Sequence, residues 1–251
     1  MADFFNTIAK DFGYLESAIH AGGALNFLLV GLAFLFIMLA SYLLGSINFA
    51  IIISGKKYKQ DIRSHGSKNA GMTNMMRTYG KKAAVFTLLG DAFKAIVSCC
   101  IGYLVMGEVG AYAAGLFCML GHVFPIYYGF KGGKGVVTAA ATVLMTDPVV
   151  FLLLLTLFII MVAIWRYISL ASITCIGLYP LILSFMSNLI GYPLHPLCLI
   201  FSIFMAALII GKHWQNIQRL RTGTESKFSF KKSVKAPAQE TEKNVKENEE
   251  K

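Results

Sequence analysis

Apolar residues gather into seven long stretches, near 26–53, 83–106, 109–129, 135–146, 149–165, 167–188 and 195–211, with short polar segments between them. Crossing the hydrocarbon of a bilayer takes roughly 17–25 apolar residues in a helix. The pattern therefore predicts an all-α integral membrane protein of about seven transmembrane helices with cytoplasmic motif loops. The first stretch is long enough to break, and Gly45-Ser46 with Asn48 near its end is where it is expected to change course. The fourth, GVVTAAATVLM, is short, and its alanines favour close packing against neighbours. The predicted membrane domain covers 26–221. Ahead of it, 1–25 is expected outside the cytoplasm, where Phe4, Phe5, Ile8, Phe12 and Leu15 could share one face of an amphipathic helix. Behind it, 222–251 is polar and mixed in charge, the composition of a disordered cytoplasmic tail.

Of the 251 residues, 56% are hydrophobic and 14% charged, against roughly 25% charged in soluble domains. That excludes an ordinary water-soluble enzyme. The net charge of +10 would point to nucleic acid in a soluble protein, but here the cations sort with topology. Lys56, Lys57, Lys59, Arg63, Lys68, Arg77, Lys81 and Lys82 crowd the segment 54–82. Lys131 and Lys134 occupy the next polar loop, Arg166 the following turn, and Lys212, Arg219 and Arg221 the end of the domain. The alternate connections, around Glu108, Asp147 and 188–195, carry no Lys or Arg. With seven spans every cationic loop falls on one side, and the positive-inside rule makes that side the cytoplasm. Cys99, Cys100, Cys118, Cys175 and Cys198 all sit within apolar runs without a CxxC pairing, so they read as small buried hydrophobes. The N-terminus lacks the architecture of a cleaved signal peptide.

Four polar segments on the cationic side carry chemistry. In DIRSHGSKNAGMTNMMRTYGKK (61–82), Ser67, Asn69, Thr73, Asn74 and Arg77 surround Gly66 and Gly71 with hydroxyls, amides and a guanidinium, which suits a phosphate. Composition alone favours the plainer reading of a solvated basic loop. In GHVFPIYYGFKGGKG (121–135), Gly132 and Gly133 between Lys131 and Lys134 could wrap backbone amides around an anion, with a helix start at Gly135 adding its positive end. It is not a Walker A loop, since Val136 stands where a hydroxyl would hold magnesium. In WRYISLAS, Ser169 and Ser172 share a helical face; in KHWQNIQRLRTGTE, His213 and Asn216 do the same. Within the apolar spans, Asp91 and Lys94 are spaced to neutralise each other. His122 is either part of the site or structural.

Taken together, GSINFA, DIRSHGSKNAGMTNMMR, GHVFPIYYGFKGGKG, RYISLAS and the His213, Asn216, Arg219, Glu225 string resemble the acyl-phosphate-dependent glycerol-3-phosphate acyltransferase family of bacterial phospholipid synthesis. The resemblance covers about 40–221. It implies a seven-span enzyme of the bacterial cytoplasmic (inner) membrane that moves a fatty acyl group from acyl phosphate to the 1-hydroxyl of sn-glycerol 3-phosphate. The implied products are 1-acylglycerol 3-phosphate (lysophosphatidic acid) and phosphate. Carried over by motif, Ser67, Arg77, Lys134, His213 and Asn216 form the catalytic set. Asn69, Thr73, Asn74, Lys131, Gly132, Gly133, Gly135, Ser169, Ser172 and His122 are the substrate-binding candidates. The family usually has SGN where this chain has Ser67-Lys68-Asn69, so Lys68 occupies a position where glycine turns freely. GSINFA likewise has Asn48 and Ala50 in place of the usual proline and glycine.

An acyl phosphate is already activated, so no metal, cofactor or protein nucleophile is expected, and no nucleic acid or obligate protein partner. The site must hold two anionic head groups together, stabilise an oxyanion and release phosphate. The proton could pass to His213, but a substrate phosphate is the favoured acceptor. An acyl-CoA-type acyltransferase would need an aspartate five residues after a histidine, and none of the five histidines has one. A CDP-alcohol phosphotransferase would need clustered aspartates, and only Asp91 lies in a span. A transporter of a phosphorylated metabolite is the non-enzyme alternative; unequal spans without an inverted repeat speak against it.

Overall fold

The computed structural model describes residues 24–191 and 194–228. The first helix, α1 (Ala24–Ser46), turns Leu28, Leu32, Leu35, Phe36 and Leu39 outward and buries Ile37 and Ser41. Such an apolar exterior is costly in water and neutral in lipid. The apolar stretch 26–53 breaks where expected. Asn48 caps α2 (Phe49–Tyr58) by accepting from the Ile51 amide at 3.1 Å, and its own amide donates to Ala70 O at 3.3 Å.

A polar loop containing the short turn Ile62–Ser64 leads to α3 (Met72–Tyr79) and then to α4 (Lys81–Val123). Straight, the 43 residues of α4 would reach about 65 Å, twice the hydrocarbon thickness. The helix instead breaks at Met106 and Gly107, whose φ is +61°. Beyond the break it folds back, so that a Cβ on Gly102 would strike the Gly110 carbonyl and the reverse holds for Gly110. The same small-residue logic sets α1 against the returning arm, where Gly45 meets the Cys118 backbone and Gly121 meets the Tyr42 carbonyl.

Then follow α5 (Val136–Thr146), α6 (Pro148–Trp165), α7 (Ile168–Ile190), α8 (Pro196–Lys212) and α9 (Trp214–Arg221). Helix α5 packs closely, as its alanines predict, with Ala141 against Ala95 and Cys118, and Thr142 is seated on Gly115 as well. At 11 residues it spans about 16 Å and is too short to cross a bilayer by itself. Tyr112, Met119, Tyr179, Leu183, Met205 and Ile209 form the middle of the core, drawn from α4, α7 and α8.

Among the described residues there is no strand. Four helices are long and apolar enough to span a membrane, or five if α8 and α9, bent by 56°, count as one. The expected seven differs from this count for two physical reasons: α4 is one helix by hydrogen bonding although it doubles back, and α5 is short. The amphipathic helix expected over 1–25 lies outside the described residues apart from its last two positions, and the tail beyond 228 does so entirely.

Candidate active site

The first loop is built around one buried amide. Asn74, only 1% exposed, accepts the Ser67 amide at 2.8 Å. Its Nδ2 reaches the carbonyls of Ile62 (3.2 Å), His65 (2.9 Å) and Asn69 (3.0 Å). Its hydrogen-bonding capacity is spent on the loop, so it holds Ser67 and Asn69 at the cavity wall. The fold needs two left-handed residues here, Gly66 at φ +56° and Lys68 at φ +59°, and the Lys68 amide closes the turn on His65 O at 2.9 Å. Lys68 thus takes the conformation that glycine would adopt without strain.

The second loop works differently from the anion wrap that its glycines suggest. Gly132 N donates to Val123 O at 3.3 Å and Gly133 N to His122 O at 3.1 Å. A Cβ on Gly132 would strike the His122 carbonyl, and one on Gly133 the His122 ring and the Ala70 carbonyl. These glycines let the loop press against the end of α4 and against the first loop. Lys131 is exposed and, with Gly132 and Gly133, stands off the cavity wall; Lys134 and Gly135 enter it.

Below the loops lies a buried charge cluster. Lys94 Nζ meets Asp91 at 3.0 Å and His122 Nδ1 at 3.0 Å, and donates to Gly45 O at 2.8 Å and Ile47 O at 2.7 Å. The Asp91–Lys94 pair read from spacing is therefore present, and it also ties down the carbonyls freed where α1 ends. Asp91 and His122 reach the cavity.

The third wall comes from α7 to α9. Lys134 donates to Asn216 Oδ1, and Asn216 Nδ2 donates to Glu225 Oε1 at 2.6 Å. Glu225 also accepts from Ser169 Oγ at 2.6 Å and pairs with Arg219 Nε at 2.7 Å. Ser172 bonds back to Ile168 O at 2.8 Å. His213 Nδ1 lies 2.8 Å from Ile209 O. A carbonyl only accepts, so Nδ1 carries the proton and Nε2 is the acceptor of the ring. Burial lowers the Lys134 ammonium to about 8; Glu225 opposes this, while Arg219, Arg77 and Lys212 add to it. Burial and the charge of Lys134 lower His213 to about 4. Burial raises the Glu225 carboxyl, but hydrogen bonds from Ser169, Arg219 and Asn216 outweigh that and leave it below its ordinary value.

One cavity of about 620 Å³ joins these walls. Its loop end presents Ser67, Asn69, Thr73, Asn74, Arg77, Lys134, His213, Asn216 and Arg219; its other end is apolar, with Leu88, Ile96, Val137, Leu144, Phe151 and Phe158. Twelve of the fifteen expected residues line it, all but Lys131, Gly132 and Gly133. Residues that sequence reasoning left off the site are Arg219, Glu225, Ser226 and Phe228. The stretch 222–228, assigned by composition to the tail, is tied back instead: Phe228 N donates to Arg166 O at 2.6 Å and Arg166 Nη2 to Phe228 O at 3.2 Å. The signal for Arg219 and Glu225 was their place in the motif string with His213 and Asn216.

The glycerol-3-phosphate acyltransferase family model matches residues 35–223. The chain belongs to this family. The glycerol-3-phosphate acyltransferase of Trichlorobacter lovleyi is 43% identical over 195 residues, covering 77% of this chain and 97% of its own length. That of Coxiella burnetii is 40% identical over 200 residues, covering 79% of this chain and 100% of its own. Two crystal structures of PlsY, an integral membrane glycerol 3-phosphate acyltransferase, superpose on the fold. The glycerol 3-phosphate form has a TM-score of 0.71 at 38% identity, covering 78% of this chain and 96% of that one. The lysophosphatidic acid form has a TM-score of 0.69 at 37% identity, with the same coverage. This glycerol-3-phosphate acyltransferase is accordingly a multi-pass membrane enzyme of phospholipid biosynthesis. The family match ends two residues before Glu225.

Proposed function

We propose that this acyltransferase takes its acyl group from acyl phosphate and delivers it to the 1-hydroxyl of sn-glycerol 3-phosphate, releasing 1-acylglycerol 3-phosphate and inorganic phosphate. The observation that carries the reading is the two-part cavity: a cationic, amide-rich end continuous with an apolar one. An anionic head group with a fatty chain matches both halves.

Ser67, Arg77 and Lys134 hold the phosphates, and charge-assisted contacts of this kind are the strong ones. With the two substrates side by side, the glycerol oxygen attacks the acyl carbon, a C–O ester bond forms, and the bond from acyl carbon to phosphate oxygen breaks. The departing phosphate takes the electron pair against Lys134 and Arg77. Of the serines lining the cavity, Ser169 bonds to Glu225, Ser172 to a carbonyl, and Ser67 through its backbone to Asn74. None is paired with a histidine, which favours direct transfer over an acyl-serine intermediate. The hydroxyl proton passes to a substrate phosphate, and His213 Nε2 accepts a hydrogen bond.

Seven spans with the loops in the cytoplasm, the N-terminus outside and the charged tail inside complete the proposal, on the loop-charge argument. The test is inorganic phosphate release by the purified enzyme. Release from acyl phosphate only when glycerol 3-phosphate is present supports the reading; turnover with acyl-CoA but not acyl phosphate, or no turnover with either, refutes it.

A further inference from the structure

Arg63 counts, in the sequence, as one more cation of a basic loop. Its guanidinium is held through all three nitrogens in the fold. Asp61 accepts the Arg63 amide at 2.9 Å, and its carboxylate takes Nε at 3.0 Å and Nη2 at 2.7 Å of the same residue. Held in that orientation, Nη1 donates out of the first loop to two carbonyls of the second, Tyr128 O at 2.7 Å and Lys131 O at 3.1 Å.

Those carbonyls bracket Gly129 and Phe130, with φ of +64° and +59°. Glycine adopts this backbone freely and phenylalanine resists it, so the bend benefits from an outside tie. From Lys131 the chain runs along the end of α4 through Gly132 and Gly133. It then delivers Lys134 to the cavity, three residues beyond the second clamped carbonyl. Ser67 follows Arg63 by four residues on the other loop, in a segment made rigid by Asn74. The guanidinium fork is suited to this bridge because one planar group can serve a carboxylate on one edge and carbonyls on the other.

We propose that Arg63 is a positioning residue for acyl transfer: by clamping the two loops it sets where the Lys134 ammonium stands relative to Ser67 and Arg77. This rests on the assignment of Lys134 to the phosphate site, and the experiment separates the two. Arg63→Gln should lower kcat/KM for glycerol 3-phosphate about 10- to 100-fold, the scale of a displacement near 1 Å at a reacting site. Its melting temperature in detergent should stay close to that of the parent. Lys56→Gln, which removes an exposed cation from the same side, should stay within about twofold.

If Arg63 acts through Lys134, adding Lys134→Ala to Arg63→Gln should cost less than Lys134→Ala costs alone. Parent-like activity of Arg63→Gln, or losses that multiply in full, would overturn the proposal. Parent-like activity of Lys134→Ala alone would overturn the phosphate-site assignment instead. Should Arg63→Gln fail to fold, Arg63→Lys decides: it keeps the charge but lacks the fork, so a loss coupled to Lys134 supports the clamp and an unchanged rate refutes it.

Discussion

Lys134 makes two opposite predictions, one for activity and one for stability. Its ammonium sits at about 8 instead of 10.5, chiefly because it is buried; Glu225 opposes the shift, and Arg219, Arg77 and Lys212 add to it. A lysine that is lowered in the folded enzyme loses its charge as pH rises through that value. The free enzyme should therefore show kcat/KM falling above pH ~8, to about one thirtieth of its plateau at pH ~9.5 for a single group. Lys134→Arg carries a charge that persists past pH ~12 and should flatten this limb. Lys134→Ala should lack the limb and lie about 10- to 100-fold lower at neutral pH, the loss of one charge-assisted contact. For stability the sign reverses. The unfolded chain holds the proton up to 10.5 and the folded one only to about 8, so charging this site costs at most about 3 kcal/mol. The cost applies in full below pH ~8 and fades toward 10.5. Lys134→Met should thus melt higher at pH ~7 while losing activity on the scale of Lys134→Ala. The assay is phosphate release across pH with a blank lacking glycerol 3-phosphate, beside thermal melts in detergent. An alkaline limb unchanged in Lys134→Arg, or a lower melting temperature in Lys134→Met, would refute the reasoning.

His213 sits at about 4, so it is neutral through the working range. His213→Gln should lower the rate yet keep an acidic limb near pH ~6 set by the substrate phosphate; disappearance of that limb would make the imidazole the base. Lys68→Gly should raise stability by about 0.5–1 kcal/mol, relief of a left-handed lysine less the entropy of glycine. A lower melting temperature would show that the Lys68 side chain does something the turn geometry does not. EDTA should leave the rate intact, because the described residues hold no group of three or more His, Cys, Asp or Glu placed to bind a metal; inhibition reversed by magnesium would refute this.

The helices were legible because lipid imposes a coarse rule, length and apolarity, that survives without any alignment. The break after Ser46 was legible for a sharper reason: Asn48 is a capping residue inside an apolar run. What spacing could not distinguish was the direction in which a polar group spends itself. Gly132 and Gly133 look like an anion cradle, and their amides go instead to carbonyls of α4. Asn74 looks like a ligand contact and is the hub of its own loop. Arg63 looks like a topology charge and bridges two loops 65 and 68 residues apart in sequence. Glu225 stood in the motif string, but its contact with Ser169 was hidden by distance of another kind, since Ser169 is 56 residues away and the intervening chain crosses two apolar helices.

That last contact bears on how the enzyme comes into being. During synthesis the carboxylate that joins Ser169, Asn216 and Arg219 leaves the ribosome only after α8 has been made. Until then Asn216 lacks the partner that turns its oxygen toward Lys134, and the cluster around Lys134 has no acid within it. A chain stalled or mis-inserted before its last helix would carry both phosphate loops and still be catalytically silent. Turnover at the bilayer would then report complete insertion, and a half-built enzyme would not consume a reactive mixed anhydride.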